Sequence, residues 1–151
     1  MNYIEMGFTF FISIVVAVVT AVISQKGFYK KETWLRKEKK YSEIIDNLSI
    51  LLKYYGDMFH DSVGAKKYNG EDCIEEINKA KHELERLSMI PSFIINSKVR
   101  DILKELFHQA NIKFGDDNCH DFASYLDRMY GVTKDSIIEI DSLARRDLKI
   151  K

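Results

Sequence analysis

MGFTFFISIVVAVVTAVISQ, residues Met6–Gln25, is a run of twenty residues without an Asp, Glu, Lys or Arg. As a helix rising about 1.5 Å per residue it covers about 30 Å, the hydrocarbon thickness of a bilayer. β-Branched residues dominate its centre, which in water would favour a strand. In lipid an open strand edge leaves backbone polar groups unsatisfied, so a helix wins. A cleaved signal peptide would need positive charge before the apolar run and a small-residue site after it. No Lys or Arg precedes Met6, and no A-x-A-like site ends the run. A helix buried in a water-soluble core has no need of so long an uncharged stretch. The sequence predicts an all-α chain. Residues 1–25 form a short outer tail and a single N-terminal transmembrane helix, and an antiparallel cytoplasmic helical bundle follows.

The charge layout orients that span. The chain is neutral overall, with 23 basic and 23 acidic side chains. Residues 26–40 hold seven of the basic side chains (Lys26, Lys30, Lys31, Arg36, Lys37, Lys39 and Lys40) against Glu32 and Glu38. Residues 41–151 are mildly acidic. Positive charge beside a span faces the cytoplasm, so the N-terminus is expected on the outer side of the membrane. Phe28, Tyr29 and Trp34 lie among the lysines, where aromatic rings suit the headgroup layer. Lys30, Lys31, Trp34, Arg36, Lys37, Lys39 and Lys40 are the expected contacts to anionic lipid. Nucleic acid is the rival partner for such a basic stretch, and adjacency to the span decides for lipid. Cytoplasmic exposure would keep Cys73 and Cys119 reduced.

Within the run, Thr9, Ser13, Ala17, Thr20 and Ser24 share one stripe of a helical wheel. Small and hydroxyl side chains on one stripe let helices approach and hydrogen-bond, which predicts self-association through the span. The alternative is that each hydroxyl bonds its own i−4 carbonyl and faces lipid. A water-lined pore would use the same stripe in a larger assembly.

One Pro and seven Gly in 151 residues leave few obligatory breaks. Apolar residues recur every three or four positions from Tyr41 through Ile44, Leu48, Leu51 and Tyr55 to Phe59, predicting a helix from the basic juxtamembrane collar, residues 26–40, to about residue 60. Tyr68-Asn69-Gly70 reads as a turn. A second helix is expected from about Glu71 until Pro91 stops it, with Ile74, Ile77, Ala80, Leu84 and Leu87 inward. A third is capped by Ser97 and buries Val99, Ile102, Leu103, Leu106, Phe107 and Ala110 until Gly115 breaks it. The last runs from about Asp117 to Leu148, with a bend near Gly131. Phe122, Tyr125, Leu126, Met129, Ile137, Ile140 and Leu143 are its expected inner face. These four amphipathic helices make up residues 41–151.

Chemistry-bearing residues are sparse. Asp116-Asp117-Asn118-Cys119-His120-Asp121 offers mixed ligands, with His108 nearby, but a zinc site wants spaced pairs that are missing here. An EF-hand loop starting at Asp116 would need Gly at 121 and Glu at 127, where Asp121 and Asp127 stand. The cluster reads as helix-capping residues. Cys73, His60 and His82 are isolated in sequence. No P-loop, G-x-S-x-G, H-E-x-x-H or dinucleotide fingerprint occurs. No enzyme, cofactor, metal or small-molecule substrate is therefore expected. Arg145-Arg146-Asp147 reads either as a charged docking patch or as helix capping plus an intramolecular ion pair.

Three stretches occur in order: Trp34 to Tyr41 with Ile44, Ile45 and Leu48; Phe93 to Ser97 with Val99; and Ala144 to Leu148. Together they resemble a group of small bacterial membrane proteins with one N-terminal span and a cytoplasmic helical domain. The resemblance implies an inner-membrane location and no particular activity or site residue. The functional expectation is a membrane-anchored interaction module that binds a protein partner or its own copies. The alternative is a membrane-perturbing effector, a toxin or anti-phage component, regulated through the bundle. A third reading is a metal enzyme using Asp117, Cys119 and His120.

Overall fold

The structure, a computed structural model, describes residues 3–64, 74–91, 94–111 and 122–150, without the side chains of residues 3–13 and 15. Four helices carry it: α1 (Tyr3–Ser62), α2 (Ile74–Ser88), α3 (Ser97–Asn111) and α4 (Phe122–Leu148). Among the described residues there is no strand. The chain divides into two compact units, Met1–Arg36 and Lys37–Lys151, and α1 supplies helix to both. Among the described residues no helix is long and apolar enough to cross a membrane. The side chains of residues 6–13 and 15, much of the uncharged run, lie outside those residues.

In the first unit every described side chain from residue 16 to residue 31 is exposed. The apolar ones are no exception: Val16 is 57% exposed, Ile23 65% and Phe28 67%. The second unit behaves differently on the same helix. Tyr41, Ile44, Leu48, Leu51 and Tyr55 form a buried stripe at spacings of three and four, the period of a helix face. That stripe joins Ile77, Ala80, Leu84 and Leu87 of α2, Val99, Leu103 and Leu106 of α3, and Leu126, Met129, Ile140 and Leu143 of α4 in one core. Each fully buried Leu or Ile contributes about 1.5–3 kcal/mol, so the bundle is held by this shared interior. α3 packs on both α2 and α4.

The ends of the helices follow local chemistry. Glu75 and Glu76 occupy the first turn of α2, where the helix dipole favours anions. Pro91 follows α2 closely, lacks the N–H a further turn would need, and accepts the N–H of Ile94 at 3.0 Å. At the start of α3 the cap is Asn96 rather than the expected Ser97: Asn96 Oδ1 accepts the Lys98 N–H at 3.0 Å. Ser97 is already the first helical residue. α4 runs unbroken through Gly131, so no break in the helix falls there. Nothing approaches a Cβ position at Gly131, and one glycine lowers helix propensity without forcing a kink.

Two inner-face expectations fail. Ile74 and Phe122, the first residues of α2 and α4, are exposed. Thr133 and Ser136 are buried where the apolar pattern of α4 skipped them. The Tyr68-Asn69-Gly70 turn, the Glu71 start, Cys73, the Gly115 break and the Asp116–Asp121 cluster all lie outside the described residues.

Candidate functional site

The bundle's second unit has three features with chemical content, each built by several helices. The first is a polar clasp. Lys37 Nζ donates to both carboxylate oxygens of Asp147, at 2.9 and 3.0 Å. Tyr41 Oη donates to Asp147 Oδ2 at 3.0 Å and accepts the Asn96 N–H at 3.2 Å. One phenol thus ties α1 to the end of α4 and to the start of α3. Burial, and the Asp147 carboxylate beside it, raise the Tyr41 hydroxyl from 10.0 to about 12, while the Asn96 N–H pulls the other way. Two residues of Arg145-Arg146-Asp147 make ion pairs within the unit. Asp147 is engaged inside the unit, and Arg145 Nε pairs with Asp141 at 2.8 Å. The Ile150 N–H closes the end of α4 on the Arg145 carbonyl at 2.9 Å.

The clasp also bears on the basic collar. Lys37 is bound to Asp147, Lys40 to Glu43 and Arg36 to Glu32, so these three cations have protein carboxylates beside them. Lys30, Lys31, Lys39 and Trp34 are exposed. Of the span stripe, Ala17, Thr20 and Ser24 are exposed, and the side chains of Thr9 and Ser13 lie outside the described residues.

The second feature is a groove of about 450 Å³ between α3 and α4. Its floor is Ile102, Leu106 and Val132, and Asp101, Glu105, Asp135 and Glu139 flank it with a single Lys98. Each helix supplies its two carboxylates four residues apart, hence on one face.

The third is a cavity of about 390 Å³ to which all four helices contribute. Leu51, Leu106 and Met129 give it an apolar floor, Tyr55, Phe107 and Tyr125 aromatic walls, and Asn78, Lys81, His82 and Glu85 a polar mouth on α2. Tyr125 Oη donates to the Ala110 carbonyl at 3.3 Å. The Tyr125 ring is stacked with Phe122, 6.4 Å between centroids, and carries the Arg128 guanidinium at 5.7 Å. Burial raises the Tyr55 hydroxyl well above the usual phenol range, with the Tyr125 and Tyr54 hydroxyls adding to the effect. The sequence pattern marked Leu51, Tyr55, Leu106 and Met129 only as core. Sequence periodicity finds the apolar face of each helix, but it cannot show that four such faces leave a space between them.

Among the described residues no group of three His, Cys, Asp or Glu side chains converges to hold a metal. His82 lines the cavity mouth, and His60 and His108 are exposed near helix ends. No family model, no curated protein and no solved structure matches the chain, so the resemblance to small bacterial membrane proteins gains no support from them.

Proposed function

We propose that the protein is a single-span membrane anchor carrying a cytoplasmic helical module that works by binding other proteins. The observation that carries this reading is the contrast within α1. From residue 41 onward the helix buries an apolar stripe in protein, whereas residues 16–31 expose all their side chains, the apolar ones included. Exposed Val, Ile and Phe along several turns need a cover other than water. The uncharged run Met6–Gln25, which holds the exposed valines and Ile23, has the length of a span, and the basic residues after it suit the cytoplasmic headgroup layer. Anionic lipid is then the first partner. The stripe of Thr9, Ser13, Ala17, Thr20 and Ser24 supports contact between spans. For the cytoplasmic partner, the α3–α4 groove, apolar below and acidic at its edges, suits a basic amphipathic segment.

Cysteine labelling in intact bacterial cells tests anchoring and orientation together. An Asn2→Cys substitution is expected to react with a membrane-impermeant maleimide from outside, while Cys73 and Cys119 react only after lysis. Alkaline carbonate should leave the chain in the membrane pellet. Labelling of Cys73 in intact cells would reverse the orientation, and release by carbonate would remove the span. Self-association is read separately, as a fall in particle size in detergent on Ser13→Leu with Thr20→Leu.

A further inference from the structure

Tyr55 is the most informative side chain in the cavity. It is 3% exposed and lines the space. Its ring is tilted against that of Tyr54, 5.3 Å between centroids, and the Tyr54 and Tyr125 phenols are the groups whose charge bears on its hydroxyl. The phenol is an efficient group for holding something else: a rigid ring with a donor at its tip.

The rest of the cavity narrows what that something is. Its volume of about 390 Å³ falls in the range of small-molecule sites. Phe107 and the two tyrosine rings favour a flat aromatic body, and Leu51 and Met129 complete an apolar bed. The polar groups at the mouth are mainly donors, with Lys81, His82 and the Asn78 amide against the Glu85 carboxylate. An acceptor oxygen on the ligand would meet the Tyr55 hydroxyl, and a negative charge on it would suit Lys81.

We propose that the four-helix cavity binds a small aromatic carboxylate, its ring among Tyr55, Phe107 and Tyr125 and its carboxylate accepting a hydrogen bond from Tyr55. Contact with all four helices makes binding favour the folded bundle, so the ligand raises its stability. The site does not depend on the span or on the orientation of the chain in a membrane.

The test uses 2-naphthoate and the full chain in a mild non-ionic detergent, with empty micelles as blank. Binding is followed by ligand-detected NMR and by the thermal unfolding midpoint. The wild-type chain should bind and unfold at a higher temperature with the ligand. Tyr55→Phe should fold like wild type and bind roughly tenfold more weakly, because it loses one hydrogen bond to the ligand and no packing. Ala110→Trp should fill the space and abolish binding. 2-Naphthylmethylammonium, with the same ring and the opposite charge, should bind more weakly than the carboxylate. No binding of 2-naphthoate by the wild type, or equal affinity in Tyr55→Phe, would overturn the proposal. Tyr55→Phe keeps the core intact, so the decision does not depend on whether Ala110→Trp folds.

Discussion

Tyr41 makes two hydrogen bonds through one oxygen, as donor to Asp147 and acceptor from Asn96; if the hydroxyl goes, Asp147 keeps Lys37 and the Asn96 N–H loses this acceptor. Tyr41→Phe should therefore cost about 1–2 kcal/mol near neutral pH, measured by denaturant unfolding of the full chain in mild detergent. The pH dependence has a definite sign. Folding raises the Tyr41 hydroxyl from 10.0 to about 12, so the folded state holds its proton more tightly than the unfolded one. Its contribution is intact below about pH 10 and is lost as pH climbs towards 12. The stability gap between wild type and Tyr41→Phe should narrow across that window; a constant gap would show that the phenol titrates normally. Thr133 presents the opposite case. It is 0% exposed, and its Oγ1 has no hydrogen-bond partner among the described residues. Thr133→Val keeps the shape and removes the unsatisfied hydroxyl, so it should raise stability by about 1 kcal/mol. A loss on unfolding measurements would mean that the hydroxyl has a partner in solution.

Among the elements, α4 ends in a way that invites a specific change. Its last turn closes with the Ile150 N–H on the Arg145 carbonyl and the Lys149 N–H on the Arg146 carbonyl, and Lys149 takes a positive φ of 56°. Such a terminus normally uses glycine, since a side chain crowds the following carbonyl in the left-handed region. Lys149→Gly should stabilise the bundle by about 1 kcal/mol, seen as a rise of the thermal midpoint, and an unchanged or lower midpoint would refute this account of the end. The helices themselves were largely legible in sequence because their signals are local. The three- and four-residue spacing from Tyr41 to Tyr55, the stop at Pro91 and the restart near Ser97 all involve neighbours within a turn or two. What stayed hidden depends on distant partners. Asn96 rather than Ser97 caps α3, and Asn96 also donates its N–H to Tyr41, 55 residues away in sequence. Lys37 read as a lipid contact because nothing in its vicinity announces Asp147, 110 residues on. Thr133 and Ser136 are buried, and an apolar pattern passes over them because they are polar. The cavity was illegible for the same reason, since Leu51 and Met129 look the same beside a space as beside a side chain.

At the scale of the whole molecule, the charge asymmetry between collar and bundle has a consequence that the side-chain pairings sharpen. Seven basic residues between 26 and 40 count alike in sequence, but in the structure they divide. Lys37 and Lys40 hold Asp147 and Glu43, and their side chains are only 23% and 26% exposed. Lys30, Lys31 and Lys39 are exposed. A cation committed to a carboxylate within the protein has little charge left to offer an anionic headgroup, whereas an exposed lysine near the surface is worth about 1 kcal/mol. If the anchored reading holds, Lys30→Gln with Lys31→Gln and Lys39→Gln should markedly reduce the phosphatidylglycerol that copurifies with the full chain, measured by lipid mass spectrometry. Lys37→Gln with Lys40→Gln should leave that lipid nearly unchanged and instead lower the unfolding midpoint, because it frees Asp147 from its cation next to the Tyr41 phenol. Equal lipid loss in the two variants would mean that the Lys37–Asp147 and Lys40–Glu43 pairs open at the membrane and that the collar acts as one undivided charge. Lipid loss confined to the second variant would move the headgroup contact onto the clasp itself.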